Sequence, residues 1–147
     1  MKPLWKLFVG ILLLAEGHHG VAQPLMGTVY DAHKLKENEL LFVDQPLHVL
    51  LKEIGPDIKT VFTESNRPHK APSYIIFKFI DQEEQQKYKL AGKRSLSILI
   101  YIKESFDWNK PKDEVLKWTN QDTEKYGHLT VMRIAILGEV YDESLSL

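Results

Sequence analysis

Apolar segments with alternating or continuous patterns constrain this fold more than any other feature of the sequence. The segment "SLSILIYIK" at 95–103 carries leucine or isoleucine at every second position, and "SYIIFKFI" at 73–80 carries isoleucine or phenylalanine in the same way. A period of two is typical of a β-strand with one buried face. The segment "HLTVMRIAILGEVY" at 128–141 is apolar on both faces, which predicts a central strand. Weaker strand patterns occupy 56–65 and 40–44.

Two segments between these strands carry helix signals. In "DQPLHVLLKEIG" at 44–55, Asp44 is suited to the N-cap, a proline follows in the first turn, and apolar residues recur at helical spacing before a final glycine. The segment at 109–127 has a similar layout, with acidic residues after an early proline and a glycine at its end. Polar residues dominate 33–39, which predicts a loop, and 81–94, which predicts a long hairpin tip or a short surface helix.

The order strand, helix, strand, strand, helix, strand predicts an α+β fold. It suits a ferredoxin-like antiparallel sheet with two helices on one face. A thioredoxin-like α/β arrangement is the alternative, although a chain without cysteine lacks the Cys-x-x-Cys motif of that fold. Because no linker or internal repeat divides the chain, we expect a single compact domain at 23–147.

The N-terminus has the layout of a secretory signal peptide. A short basic opening precedes an apolar run at 7–15, and small residues follow. The run is too short to cross a membrane, which requires about 20 apolar residues. We therefore expect a signal peptide at 1–22, cleaved after Ala22 or after Gly17. The product would be secreted or, alternatively, retained in the lumen of the secretory pathway.

Composition excludes several classes of partner and scaffold. The absence of cysteine excludes the disulfide frameworks on which many small secreted domains depend. No Asn-x-Ser/Thr acceptor is present, so no N-glycosylation is expected. The formal net charge of −1 at pH 7 lacks the basic excess of a nucleic-acid-binding domain. No other segment is apolar and long enough to suggest a membrane span.

Two groups of possible metal ligands are weak candidates. His18 and His19 would stand at a new N-terminus only after the earlier of the two cleavages, and the other histidines show no ligand spacing. Asp81, Glu83 and Glu84 form an acidic cluster that is more typical of a solvated turn than of a calcium site. We therefore expect no metal and no cofactor.

Catalytic motifs are missing from the sequence. It contains no cysteine nucleophile, no Gly-x-Ser-x-Gly elbow, no phosphate-binding glycine loop and no His-Glu-x-x-His pattern. A discontinuous active site would need a pocket lined by several of His33, His69, His128, Asp107 and Asp122. The sequence therefore favours a binding protein, and an enzyme is the third hypothesis.

A basic cluster lies between the two alternating strands and is the main candidate contact surface. Lys87, Lys89, Lys93 and Arg94 surround Tyr88, and this combination suits a protein partner or an anionic glycan.

The same segment supports an alternative function. Gly92, Lys93 and Arg94 resemble the dibasic amidation signal of peptide prohormones, so a precursor cleaved after Arg94 is the second hypothesis. Glycine is equally what a tight turn requires at this position. The sheet edge predicted near 57–65 is a second possible contact surface. The leading prediction is a secreted, non-enzymatic binding protein whose oligomeric state the sequence leaves open.

Overall fold

The computed structural model describes residues 22–110 and 117–141. Within these ranges, four strands form one antiparallel sheet in the order β1-β2-β3-β4. The strands are β1 (Thr60–Glu64), β2 (Tyr74–Lys78), β3 (Ser97–Ile102) and β4 (Val131–Leu137). The α+β class is therefore confirmed. All but the last residue of the predicted signal peptide, including the two adjacent histidines, lies outside the described residues.

In the described ranges, four short helices accompany the sheet. They are α1 (Ala32–Glu37), α2 (Leu47–Leu51), α3 (Gln82–Leu90) and α4 (Asn120–Tyr126), with 3₁₀ helices at Val29–Asp31 and Glu39–Leu41. Of the two alternatives predicted for 81–94, the short surface helix is observed, as α3. The predicted helix at 109–127 is observed only over α4, and its residues 111–116 lie outside the described ranges.

The ferredoxin-like arrangement is not confirmed. In that fold a helix joins two strands that run in the same direction and are separated by a third strand. Here each described strand pairs with its neighbour in the sequence, and all three pairs are antiparallel. The helix α3 therefore belongs to a hairpin-type connection between β2 and β3. The same order departs from the thioredoxin-like alternative, because that fold contains parallel neighbours.

The hydrophobic core lies on one face of the sheet. Alternate residues of β2 and β3, with single residues or a pair from β1 and β4, share one cluster with Met26 and with buried residues of α1, α2 and α4. The predicted inward positions of 95–103 are confirmed, since they belong to this cluster, and one of the two predicted faces of 73–80 belongs to it as well. Its fully buried members include Val61, Ile75, Phe77, Ile98, Ile100, Ile134, Leu35, Leu47 and Leu50.

Two local predictions near the N-terminus are wrong. The polar segment 33–39 forms most of α1, because Leu35 on that short helix is fully buried in the core. The apolar segment 40–44 forms the end of a 3₁₀ helix and a turn in place of a strand, and Leu40 and Leu41 remain largely exposed. Apolar composition alone did not distinguish these two segments.

The predicted helix at 44–55 is shorter than expected. Asp44 adopts a positive φ of 63° and donates its backbone N–H to the Val131 carbonyl oxygen at 2.8 Å. The N–H of Leu47 then bonds to the carbonyl oxygen of Leu129 at 2.7 Å. Because these groups pair with the chain that leads into β4, the helix begins only at Leu47. Its apolar stripe nevertheless packs into the core as predicted.

The last strand was predicted to be central, and this prediction is wrong. β4 is the outer strand of the described sheet, next to β3 only. Met132 and Leu137 are each 51% exposed, which explains how a strand with apolar residues on both faces lies at an edge. β1 forms the opposite edge.

Candidate functional site

A basic cleft lies where α3 faces one end of the sheet. Its volume is about 590 Å³. One wall is α3 with the turn that follows it, the floor comes from β2 and the start of β3, and the other wall includes Leu137 and Gly138. Among the described residues, those that line it include four basic side chains and no aspartate or glutamate. The basic residues are Lys78, Lys89, Lys93 and Arg94.

The wall formed by α3 is fixed by its two ends. Asp81 caps the helix by accepting the N–H of Glu84 at 2.9 Å, and the Glu84 carboxylate accepts the N–H of Asp81 at 3.3 Å. At the other end, Gly92 adopts a φ of 70°, which favours glycine, and turns the chain toward β3. α3 buries none of its own residues, so it presents polar side chains to the cleft.

The capping arrangement accounts for the acidic cluster considered for calcium. Asp81 and Glu84 accept hydrogen bonds from the helix backbone, whereas the carboxylate of Glu83 lies 3.4 Å from the ammonium group of Lys87. In the part of the chain that the structure describes, no group of three or more acidic or histidine side chains is arranged to hold a metal ion.

Lys78 forms the floor of the basic cleft. It points to the side of the sheet away from the core, opposite Ser97 on β3. The Lys78 Nζ donates to Ser97 Oγ at 2.6 Å and to Ser95 Oγ at 2.9 Å. Burial lowers the pKa of the Lys78 ammonium group below its usual value of 10.5. Among the described residues no carboxylate forms an ion pair with it.

Four of the five predicted contact residues line this cleft. Tyr88, Lys89, Lys93 and Arg94 belong to its walls, whereas Lys87 does not. Lys87 extends from the exposed side of α3 and pairs with a glutamate on the same helix. The predicted cluster is therefore divided by the helix into a cleft side and a solvent side.

Aromatic rings hold part of the cleft rim in place. The ring of Tyr88 lies 5.2 Å from the ring of Tyr141, centroid to centroid. The Lys93 Nζ lies 4.7 Å from the centroid of the Tyr141 ring, within the range of a cation–π interaction. These contacts connect the turn after α3 to the segment that follows β4.

The possible processing site lies on the same rim. The side chains of Lys93 and Arg94 are exposed, but the backbone around them is hydrogen-bonded. The Arg94 carbonyl oxygen accepts the N–H of Glu139 at 3.0 Å, and the N–H of Leu96 donates to the Glu139 carbonyl oxygen at 3.0 Å. The peptide bond after Arg94 is therefore fixed between two backbone hydrogen bonds.

The residues considered for a discontinuous active site are not brought together. His33, His69, His128 and Asp107 are exposed, whereas Asp122 is buried at the start of α4. The clefts described between residues 22–110 and 117–141 include one lined by His33, and three others lined by none of the five. These side chains therefore do not form the pocket that the enzyme hypothesis requires.

The second predicted contact surface is an edge of the described sheet. β1 has a neighbouring strand on one side only. Just before β1, the carbonyl oxygen of Ile58 accepts the N–H of Trp118 at 3.2 Å, so the chain near α4 covers the beginning of this edge. Unlike the basic cleft, this edge brings no cluster of like charges together.

The floor of the cleft was not evident from the sequence. Lys78, Ser95 and Ser97 belong to the two strand segments that border the basic cluster. A lysine within the otherwise apolar segment 73–80 was the available signal, because a charged residue there must either reach solvent or find polar partners. Only the strand pairing shows that its partners are the two serines.

Comparison with known proteins adds no relative. No family model matches the chain, and no curated protein or solved structure is significantly similar to it. Among the described helices, none is both long and apolar enough to span a membrane. The functional argument therefore depends on the geometry and charge of the basic cleft.

Proposed function

We propose that this chain is a secreted or lumenal binding protein that recognises an anionic ligand in the basic cleft and catalyses no reaction. The observation that carries the proposal is the charge of the lining residues. Lys78, Lys89, Lys93 and Arg94 converge on one concave surface, and the part of the chain that the structure describes places no carboxylate among the lining residues. Like charges gathered without counter-ions repel each other, and an anion would relieve that repulsion.

The size and chemistry of the cleft support a ligand of moderate size. A volume of about 590 Å³ lies within the usual range for ligand sites, roughly 300–1,000 Å³. Lysine and arginine form charge-assisted hydrogen bonds to carboxylates, sulfates and phosphates. Tyr88 supplies an aromatic wall, and the half-exposed Leu137 supplies an apolar wall opposite. This combination suits an anionic glycan, whose sugar rings have apolar faces.

The first experiment measures binding of a heparin-derived hexasaccharide by isothermal titration calorimetry. The double variant Lys89→Glu/Arg94→Glu reverses two charges on the cleft wall, and we expect it to weaken binding by at least about tenfold. The control is Lys87→Glu, which reverses a charge on the same helix outside the cleft. Equal losses in both variants would contradict the proposal, because they would indicate diffuse attraction by surface charge.

Secretion is the second part of the proposal, and it is supported by the signal-peptide pattern in the sequence. Expression of the full chain in cultured animal cells, followed by intact-mass spectrometry of the medium, tests it. We expect one species that begins at Gln23. A chain that remains in the cytosol and still carries residues 1–22 would contradict this prediction.

A precursor processed after Arg94 is the second candidate. The exposed side chains of Lys93 and Arg94 favour it, because dibasic proteases recognise those side chains. The hydrogen-bonded backbone on both sides of the bond favours the intact protein instead. The same mass spectrum distinguishes the two candidates, since a precursor would appear as fragments that end or begin near residue 94.

A further inference from the structure

The floor of the basic cleft retains hydrogen-bond donors for which the described ranges 22–110 and 117–141 supply no acceptor. An ammonium group has three N–H donors, and Lys78 donates two of them to Ser95 Oγ and Ser97 Oγ. The hydroxyl of Ser97 donates to the Ser95 carbonyl oxygen at 3.3 Å. The hydroxyl of Ser95 accepts from Lys78 and has no acceptor of its own among the described residues.

These donors are held in position by the structure around them. Ser95 and Ser97 are 9% and 7% exposed; Ser97 is the first residue of β3, and Ser95 lies just before it in a bridge with Glu139. Their hydroxyls hold the end of the Lys78 side chain, so the direction of its remaining N–H is restricted. Arg94 lies directly before this pair in the sequence and lines the same cleft.

The facing helix is fixed relative to the floor. Gln85 on α3 donates its side-chain N–H to Thr60 Oγ1 at 2.9 Å, and Thr60 donates to the Ile80 carbonyl oxygen at 2.8 Å. The Thr60 and Lys78 positions are paired across β1 and β2. This chain of hydrogen bonds sets the width of the cleft between α3 and the sheet.

We infer that Lys78, Ser95 and Arg94 form a subsite for the tetrahedral oxyanion of a sulfate or phosphate ester carried on a sugar. The inference rests on the proposed anionic ligand and specifies its charged group. A sulfate or phosphate monoester presents three terminal oxygens, which matches three separate donor groups. A carboxylate presents only two oxygens in one plane, so three donors that approach from different directions would bond to it with poorer geometry than to a tetrahedral group.

Within the described part of the chain Lys78 has no carboxylate partner, and this supports the subsite. A half-buried ammonium group without a counter-ion is costly, and its lowered pKa reflects that cost. An oxyanion next to Nζ would supply the missing counter-charge. Free sulfate or phosphate would bind by the same chemistry, whereas the tyrosine and leucine walls of the cleft favour an ester with an attached sugar ring.

The test uses three ligands that differ only at one carbon of glucose: glucose 6-sulfate, glucose 6-phosphate and glucuronate. Affinities are measured by NMR titration of the isotope-labelled protein, with the backbone amides of Ser95 and Ser97 as reporters. We expect at least one ester to bind about tenfold more tightly than glucuronate. Whichever ester binds more tightly identifies the preferred source of the oxyanion. Equal affinity for glucuronate and both esters would overturn the inference.

Variants separate the floor from the wall. In each of the single variants Lys78→Met and Ser95→Ala, the esters and glucuronate should bind with about equal affinity. Lys89→Glu should weaken all three ligands by similar factors, because that residue lies on the wall and supplies general attraction. Retention of the ester preference in Lys78→Met would overturn the inference.

The outcomes also separate this inference from the proposed function. If the wild-type protein binds the heparin hexasaccharide and the wall variants bind it more weakly, the proposed function stands even when no ester preference is found. If none of these anions binds, both fail. Chemical denaturation provides the control for folding. Lys78→Met should not lower the free energy of unfolding, because it removes a poorly solvated charge, whereas loss of stability would indicate a structural lysine.

Discussion

The carboxylate of Glu39 accepts the backbone N–H of Ile134 at 2.8 Å and thereby protects the outer edge of β4. The same carboxylate accepts a hydrogen bond from Lys36 Nζ at 2.6 Å. Burial opposes ionisation of Glu39, but the bonds from Lys36 and Ile134 outweigh it and lower the pKa of this carboxyl group. A side chain 95 positions away in the sequence therefore supplies the hydrogen-bond acceptor that a further strand would supply.

Replacing Glu39 tests this edge. Glu39→Ala leaves the N–H of Ile134 without its acceptor, and we expect the free energy of unfolding to fall by about 1–2 kcal/mol. Glu37→Ala, at the end of α1, should change it by less than about 0.5 kcal/mol. Urea denaturation measures both. Equal stability of the two variants would mean that the Glu39–Ile134 bond contributes nothing.

Two glycines with positive φ provide a test of what protects the Arg94–Ser95 peptide bond from cleavage. Gly138 has a φ of 73°, and a Cβ there would overlap the carbonyl oxygen of Ser95. Gly138→Ala should therefore separate the two segments and accelerate trypsin cleavage after Arg94. Gly92→Ala is the matched control, since Gly92 has a φ of 70° but open space around it.

The difference between these glycine variants is the informative measurement. Gly92→Ala should cost about 1 kcal/mol of backbone strain without opening the Arg94–Ser95 bond. Limited proteolysis with mass spectrometry locates the cuts. If both variants are cleaved after Arg94 as slowly as the wild type, the contact between Gly138 and Ser95 does not protect this bond.

A buried ion pair joins α4 to the preceding loop. The Lys110 Nζ lies 2.5 Å from Asp122 Oδ2, and the two side chains are 9% and 10% exposed. Asp122→Ala leaves Lys110 buried without its counter-charge, and it also removes the acceptor for the Thr119 N–H. We expect the free energy of unfolding to fall by about 3 kcal/mol in thermal or urea denaturation.

A double variant isolates the pair from its surroundings. Lys110→Met/Asp122→Ala should be less destabilised than the sum of its single variants, because removing both charges leaves neither unpaired. Asp107→Ala, at an exposed position, should leave stability within about 0.5 kcal/mol of wild type. Strict additivity in the double variant would show that the two charges do not interact.

Because of Tyr74, the free energy of unfolding should depend on pH in the alkaline range. Its hydroxyl donates to Glu64 Oε2 at 2.7 Å, and this bond, with burial, raises the pKa of Tyr74 from 10.0 to about 12. The folded state thus favours the neutral phenol. The resulting stabilisation is complete below pH 10.0, the unfolded pKa, and is lost as the pH rises toward about 12.

Absorbance titration of the tyrosines measures this prediction. Tyr74→Phe should remove the component that titrates near pH 12, whereas Tyr30→Phe, at an exposed position, should retain it. Glu64→Gln should move that component toward lower pH, because the carboxylate that stabilises the phenol is removed. A wild-type titration without any component above the ordinary tyrosine range would contradict the assignment.

Periodicity in the sequence was sufficient to predict the two inner strands of the sheet. The alternation at 73–80 and 95–103 predicted β2 and β3 and identified which of their residues enter the core, because burial of one strand face requires that pattern. It did not distinguish short helices from short strands near the N-terminus. Leu35 enters the core from α1, whereas the apolar segment 40–44 forms a turn.

The candidate site was predicted only in part for a related reason. Charges that are close in the sequence, such as Lys89 and Arg94, form a cluster that residue spacing alone reveals. Lys78 is not part of that cluster, because its importance depends on two serines that become its neighbours only when β2 pairs with β3. Strand pairing is a long-range relationship, and residue spacing contains little information about it.

The sequence by itself determined the α+β class, the two inner strands and the basic character of the turn that precedes β3. These properties depend on local periodicity and composition, which act over a few residues. The tertiary structure decided the consecutive strand order, the position of β4 at an edge and the assembly of the basic cleft. Those features depend on which distant surfaces bury each other and which backbone groups find partners, and that competition is settled only when the whole chain packs.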